Sequence, residues 1–291
     1  MLGEIRGEVR FKEPLSFHTS LRIGGPADIF VVPQDVEDIR HALMFADREQ
    51  LPVAVVGGGN NLVVRDRGIR GVVLKLEGCL GRAEFHGEEA LAGAGVGLSA
   101  LIREAAALNL GGIECLVGIP ATVGGALAMN AGTADGSLGD FVSAVYFLHP
   151  DGSLGEFKPS GAFGYRAFYL PAGAVLIGCR LQLHRRPLPE IQKEIRARLK
   201  QKKATQPLAL ASAGFVWKNP AGELASRLIE KAGLRGKRVN GAEISSKHAN
   251  FIVNRGAAGA ADILSLMELT RERVHGHFGI TLETEIRLLG E

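Results

Sequence analysis

The sequence predicts an α+β chain in two parts, on three observations. Its 291 residues are 46% hydrophobic and 22% charged, which is globular and long enough for two or more cores. Short strand-like runs mix with amphipathic helical stretches up to about Arg186. There the texture changes, and "RRPLPE" reads as a linker or corner, so the boundary falls near 187.

In chain order, strand-like runs cover Asp28–Val32, Val53–Val56, Gly71–Leu76 and Ala90–Ala94, with a helix over Val36–Glu49 between the first two. A second helix spans Leu98–Leu108. It puts Leu98, Leu101, Ile102, Ala105 and Leu108 on one face, and Gly111 closes it. Val142–Leu148, a "PDGS" turn and an apolar run over Ala174–Leu183 complete the first part. The second part opens with a helix that has Leu188, Ile191, Ile195 and Leu199 on one stripe and Lys193, Arg196 and Lys200 off it, a solvated face. Helices near Leu224–Ala232 and Ala261–His275 follow, with strands "HANFIVN" and "LETEIRLL".

Several function classes are disfavoured. There is no run of about 18 apolar residues, and the charged "MLGEIRGEVRFKEP" has no secretory h-region. Cys79, Cys115 and Cys179 form no CxxC or metal spacing, and His275 and His277 have no matching acid or Cys pattern. Reduced thiols, a cytoplasmic location and no metal are the expectation. A net charge of +3 mildly favours anionic ligands and is too small to argue for nucleic acid.

The 39 glycines cluster, mostly before residue 140. "VVGGGNNLVV" reads as strand, glycine loop, strand. Gly57, Gly58 and Gly59 can turn successive N–H groups inward as a nest for phosphate oxygens. No Gly-Lys-Ser/Thr follows, and Leu62 breaks the Rossmann pattern. A tight turn accounts for the triplet equally well. "VGIPATVGGALAMNAG" reads as neither helix nor strand, because Pro120 and four glycines interrupt it, yet it is apolar enough to be buried. Its backbone groups then need partners, from a large flat ligand or from a structural crossover with water.

With these, "TSLRIGGPAD", "GGIECLVGIPATVGGALAMNAG", "FGYRAF", "SAGFVWKNPAG", "KHANFIVN" and "ITLETEI" occur in the order that resembles the UDP-N-acetylenolpyruvoylglucosamine reductase family, over nearly the whole chain. The resemblance is to a compact subtype without a tyrosine-bearing insertion. It implies a two-lobed FAD-binding domain of the vanillyl-alcohol-oxidase (PCMH) type over 1–187, its lobes split near 78, and a C-terminal α+β substrate-binding domain over 188–291. It also implies hydride passing from NADPH through non-covalent FAD to UDP-N-acetylglucosamine enolpyruvate, in a monomer with no membrane or nucleic-acid partner.

The implied FAD contacts are Arg22, Gly57, Gly58, Gly59, Asn60, Asn61 and Leu62, then Gly118, Ile119, Pro120, Thr122, Val123, Gly125, Asn130 and Gly132. Asn60 stands where relatives often carry Ser, and its amide can still donate. Negative charge on the substrate calls for preorganised donors. Arg166 matches the arginine that contacts the carboxylate, its fork suited to a planar anion. Glu285 matches the glutamate that stabilises the enolic species, as a neutral acid if buried. Along an extended strand Glu283, Glu285 and Arg287 share a face opposite Leu282, Thr284, Ile286 and Leu288. Tyr165, Lys203, Lys218, Asn219 and His248 are the implied substrate contacts, with Lys202 an alternative to Lys203.

Two departures stand out. Phe215 occupies the position of the family's proton-donating hydroxyl, and Phe168 that of a small polar residue. Ser212 is a poor substitute, since three positions along a strand is the opposite face. Thr205 or Tyr165 are further candidates, and water held by Arg166 or Glu285 ranks first. Two rivals remain: an FAD oxidase of the same broad fold, and a flavin- or nucleotide-binding protein without catalysis. "GGGNN" has no His or Cys for covalent flavin, and Arg166 and Glu285 count against the second rival.

Overall fold

The computed structural model describes every residue except Met1, Glu77, Cys79 and Ser160, so Cys79 lies outside the described residues. The chain forms two compact units, each discontinuous in sequence. One comprises Met1–Phe11, Asp28–Gly58 and Arg70–Lys202, the other Lys12–Ala27, Gly59–Ile69 and Lys203–Glu291.

The first unit has two cores. In one, helix α1 (Val36–Arg48) buries Ile39, Ala42, Leu43 and Ala46 with Val31, Val72 and Leu74. Asp35 caps it, accepting from the N–H groups of Glu37 and Asp38. Asp38 is fully buried. Burial alone would raise its pKa, but the N–H groups of Arg6 (3.0 Å), Gly7 (2.8 Å) and Gln34 (2.8 Å) outweigh it and hold the carboxylate below its usual range. A four-stranded sheet runs in the order Glu8–Pro14, Pro26–Val32, Ile69–Lys75, Val53–Val56. The last two strands are parallel, with Val56 opposite Lys75, and Ile69–Lys75 is buried almost throughout, as parallel strands covered on both faces are.

The other core lies on a five-stranded antiparallel sheet, in the order Leu154–Phe157, Val142–Leu148, Val175–Gln182, Glu89–Gly93, Ala83–His86. Helix α2 (Leu98–Ala107) packs on it through Leu98, Leu101, Ile102 and Ala105. Leu108 does not join that face. It lies past the helix end and is 46% exposed, and the chain turns at Asn109 (φ 56°) where Gly111 was expected to close the helix. Helix α3 (Val123–Ala128) corrects the reading of "VGIPATVGGALAMNAG" as non-helical. Pro120 precedes the helix instead of interrupting it, and Thr122 caps it by accepting from Gly125 N–H at 3.2 Å. "RRPLPE" is a corner and not a linker. Arg186 N–H bonds Asn109 O, its guanidinium reaches Glu114 (3.2 Å) and Glu194 (2.7 Å), and helix α4 (Leu188–Thr205) starts at once. Pro189 sits in its first turn, where a missing N–H costs nothing. Ile191 is buried, whereas Leu199 is 43% exposed.

The second unit has one core, around Trp217, Leu228, Ile229, Ile252, Ile263, Leu266 and Leu282. Helices α5 (Ala225–Lys231) and α6 (Ala260–Phe278) contribute to it. The sheet order is Ala211–Ser212, Ile252–Asn254, Ala242–Ile244, Arg238–Val239, all antiparallel. Asp66 caps α6 from a distant loop, accepting from Ala260 (2.9 Å) and Ala261 (3.1 Å) N–H. Arg287–Leu289 pairs in parallel with Leu62–Val64. The expected "LETEIRLL" strand is therefore shorter: the chain bends at Glu285 and Ile286, and Leu288, expected inside, is 37% exposed. Likewise only Ile252–Asn254 of "HANFIVN" is strand. Among the described residues, no helix is long and apolar enough to cross a membrane, and no group of three His, Cys, Asp or Glu could hold a metal ion.

Candidate active site

In the first unit the strand Val53–Val56 ends at Gly57. A Cβ there would stand 2.4 Å from Thr122 Oγ1, so a side chain would force Thr122 to shift. Lys75, 9% exposed at the end of the neighbouring parallel strand, donates from Nζ to Gly57 O at 2.6 Å. The N–H of the next residue, Gly58, donates to no acceptor among the described residues.

The segment that follows α2 satisfies much of its own backbone. Val117 N–H bonds Glu114 O, Ile119 N–H bonds Leu116 O, Val123 N–H bonds Val96 O and Gly124 N–H bonds Ala94 O. A ligand is therefore not required to satisfy those groups, which corrects that part of the sequence argument. Val123 is fully buried and its N–H is spent, so neither is open to a ligand. Ile119 is half-buried, and Pro120 and Gly125 are exposed. Gly118 takes φ 72° under α4, where a Cβ would lie 2.9 Å from Lys202 Cδ. Burial first, then the charges of Arg198 and Arg166, bring the Lys202 ammonium down to about 8.

Arg166 is the second turn residue of the hairpin that pairs Phe163–Gly164 with Ala167–Phe168. Its φ of 54° is a left-handed value that a non-glycine residue adopts at a cost of about 1–3 kcal/mol. Half-buried, it donates from Nη2 to Gly132 O at 2.8 Å and lies over the exposed Tyr165 ring, 5.4 Å from its centroid. Asn130 fixes the same hairpin: its Nδ2 donates to Gly164 O and its Oδ1 accepts from Gly139 N–H, both at 2.9 Å. Phe168 stacks on Phe163 (4.5 Å) and Phe157 (5.9 Å). Its ring thus anchors the hairpin in an aromatic ladder, and it is not a lone apolar replacement in a pocket.

In the second unit the loop continues with Gly59 at φ 66°, where a Cβ would meet His18 O at 2.0 Å. Ser20 N–H donates to Gly59 O at 3.0 Å, while its hydroxyl donates to Ser212 O at 2.7 Å. The N–H groups of Gly59 and Asn60 also find no acceptor among the described residues. Asn61 Nδ2 donates to Glu285 O at 3.1 Å, and Leu62 is a buried strand residue. Arg22 is exposed at φ 57°.

Glu285 is held from both sides, since its own N–H donates to Val216 O at 2.8 Å. "SAGFVWKNP" is thereby sewn to the segment that carries Glu285. Asn250 does the same on the other side: its Oδ1 accepts from Trp217 N–H (2.9 Å) and its Nδ2 donates to Trp217 O (2.8 Å). Lys218 pairs with Glu283 at 3.3 Å. Asn219 Oδ1 accepts from Ala225 N–H at 3.0 Å, which caps α5. Lys203 is exposed, and its carbonyl accepts from Lys247 Nζ at 2.6 Å. Ser212 ends its strand and Gly214 turns at φ 79°, so the strand-alternation argument does not govern Ser212 and Phe215.

Phe215 stacks on His248, with ring centroids 5.0 Å apart and planes 21° from parallel, and Phe251 meets both rings edge-on. His248 Nδ1 accepts from Asn250 N–H at 3.3 Å, which leaves the proton on Nε2. Burial pushes the imidazole pKa below 6.5. The unfolded chain then binds the extra proton, so this group's contribution to stability is lost as pH falls below about 6.5. An NMR titration of the His248 ring should give a midpoint under 6.5, and a value at or above it would contradict the buried neutral assignment.

Two family models match this chain: "UDP-N-acetylenolpyruvoylglucosamine reductase, C-terminal domain" over residues 206–289, and "FAD binding domain" over residues 27–158. The curated UDP-N-acetylenolpyruvoylglucosamine reductase of Geobacter metallireducens is 43% identical over 99% of this chain and 96% of its own. That of an Anaeromyxobacter species is 46% identical over 99% and 90%. The chain belongs to the UDP-N-acetylenolpyruvoylglucosamine reductase family. The solved reductase of Thermus caldophilus agrees, at 36% identity and a TM-score of 0.84 over 98% of this chain and all of that one. 6-Hydroxy-D-nicotine oxidase of Arthrobacter nicotinovorans, 18% identical with a TM-score of 0.50 over 98% of this chain and 63% of its own, shares the fold alone. The α+β class with an FAD-binding region and a C-terminal domain is thus as the sequence predicts. Lys75, Ser20 and Asn250 escape sequence reading. Their signals were a lone lysine ending the apolar "VVLK" and an asparagine inside "HANFIV".

Proposed function

We propose that this chain reduces UDP-N-acetylglucosamine enolpyruvate to UDP-N-acetylmuramate with NADPH and bound FAD, in peptidoglycan precursor synthesis. The observation that carries the reading is family membership over nearly the whole chain, and the motifs "FGYRAF" and "LETE" supply Arg166 and Glu285. FAD, when bound, supplies the hydride carrier. The residues fit it: the N–H groups of Gly58, Gly59 and Asn60 have no acceptor among the described residues, and side chains at Gly57 or Gly59 would collide with Thr122 or His18. Gly57, Gly58, Gly59, Asn60 and Asn61 hold the pyrophosphate. The exposed part of 118–125 and Gly132 line the ring and ribityl chain. FAD is non-covalent and leaves on denaturation.

Arg166 binds the enolpyruvyl carboxylate, held ready by Gly132 O. Glu285 stabilises the enolic charge. Tyr165, Lys203, Lys218, Asn219 and His248 position the substrate, with His248 presenting a fixed Nε2–H donor. Water held by Arg166 or Glu285 supplies the final proton, since Phe215 has no hydroxyl. We assign 1–187 to cofactor and 188–291 to substrate, as functional divisions distinct from the compact units. We also assign a monomer in the cytoplasm.

Anaerobic single-turnover kinetics test the reading. Enolpyruvyl substrate should reoxidise the NADPH-reduced protein, and failure to do so would sink it. Phe215→Ser should alter that rate, within the 10²–10⁴-fold span of a positioned acid, while flavin reduction by NADPH stays unchanged. An equal change in both half-reactions would contradict the role given to Phe215.

A further inference from the structure

We infer that Lys75, a residue outside the cofactor-binding set, positions and polarises the Gly57–Gly58 peptide as an anion donor. The proposal rests on the FAD reading above and names what strengthens the pyrophosphate seat from behind.

Lys75 ends a buried strand whose parallel neighbour ends at Val56, immediately before Gly57. Ligands of parallel sheets gather at the carboxyl ends of strands, and Gly57 lies at that end. Lys75 is 9% exposed, and its Nζ is 2.6 Å from Gly57 O. Hydrogen bonds with an ionised donor are about twice as strong as neutral ones. Ammonium chains are rarely buried this far, so the contact is a built one.

The carbonyl of Gly57 and the N–H of Gly58 belong to one peptide unit. The chain has no cis peptide among its described residues, so these two groups point in opposite directions. With the carbonyl drawn to Lys75, the N–H faces away from Lys75. It meets no acceptor among the described residues there. An ammonium on the carbonyl also withdraws electrons through the peptide, which makes the N–H a stronger donor, as in hydrogen-bond chains. Lys75 therefore fixes the direction of the Gly58 N–H and raises its strength without touching the ligand. Thr122 Oγ1 would lie 2.4 Å from a Gly57 Cβ, so the chain packs closely at this glycine.

The test measures FAD affinity of the apo-protein by flavin fluorescence, with melting temperature as a fold control, for wild type, Lys75→Met and Lys75→Gln. Methionine keeps the length and loses the donor. Glutamine keeps a neutral donor. The expected result is FAD binding at least 10-fold weaker in Lys75→Met, with Lys75→Gln recovering part of the loss at a wild-type melting temperature. If Lys75→Met does not fold, Lys75→Gln decides: weaker binding by 3-fold or more supports the proposal. Wild-type affinity in the folded variant overturns it, and so does a Lys75→Gln that binds as weakly as a folded Lys75→Met. A wild-type protein that binds no FAD would instead overturn the functional reading itself.

Discussion

Replacing Arg166 by methionine is expected to lower kcat by about 10²–10³-fold, the usual cost of one preorganised donor to developing negative charge. KM for the enolpyruvyl substrate should rise as well, because the proposed contact with the carboxylate is made before reaction. FAD affinity and flavin reduction by NADPH should stay near wild type. Three features support this assignment. The residue is half-buried, its backbone is held at φ 54° where glycine would be easier, and Gly132 O takes one arm of the fork. A backbone at such angles persists only where its surroundings dictate it. Here Asn130 dictates it by clamping the hairpin at Gly164. Arg166→Lys should recover little, since an ammonium cannot reproduce two parallel N–H donors. Steady-state kinetics with stopped-flow flavin reduction check all of this. A kcat within a few fold of wild type would remove Arg166 from the chemistry.

Glu285→Gln is the second large effect, with kcat lower by about 10²–10⁴-fold, the span of a positioned acid–base group. KM should move little, in contrast to Arg166, because this role belongs to the reacting state and not to ground-state binding. The protein should still fold. Two backbone bonds secure this position: Glu285 N–H on Val216 O, and Glu285 O receiving Asn61 Nδ2. Neither bond depends on the carboxyl. A variant with unchanged kcat, or one that loses folding in proportion to activity, would contradict the assignment.

How far the sequence carried depended on local consistency. Val36–Arg48 was legible because cap, periodicity and burial agree, and Leu98–Ala107 because periodicity and burial agree without a side-chain cap. The strands at Val53–Val56 and Val142–Leu148 were legible because their runs are mostly apolar and free of Gly and Pro. Helix α3 was not, because Gly124 and Gly125 depress helix propensity and tertiary hydrogen bonds make up the difference. "RRPLPE" does mark a local break, the corner between a strand and helix α4, but its prolines could not show that Arg186 is tied to Glu114, 72 positions away. Leu288 misled because a bend at Glu285 and Ile286 ends the strand alternation. The proposed site residues come from long motifs. The supports, Lys75 on Gly57, Asn250 around Trp217 and Ser20 on Ser212, were not legible, because each joins positions distant in sequence with no periodic signature.

The most direct test of the central claim is NADPH consumption by the purified, FAD-loaded protein, with and without UDP-N-acetylglucosamine enolpyruvate, in air. Strong dependence on the enolpyruvyl substrate, with UDP-N-acetylmuramate formed one for one, is the predicted result. NADPH oxidation that ignores the substrate, or none at all, would contradict it and leave an oxidase-like or non-catalytic flavoprotein.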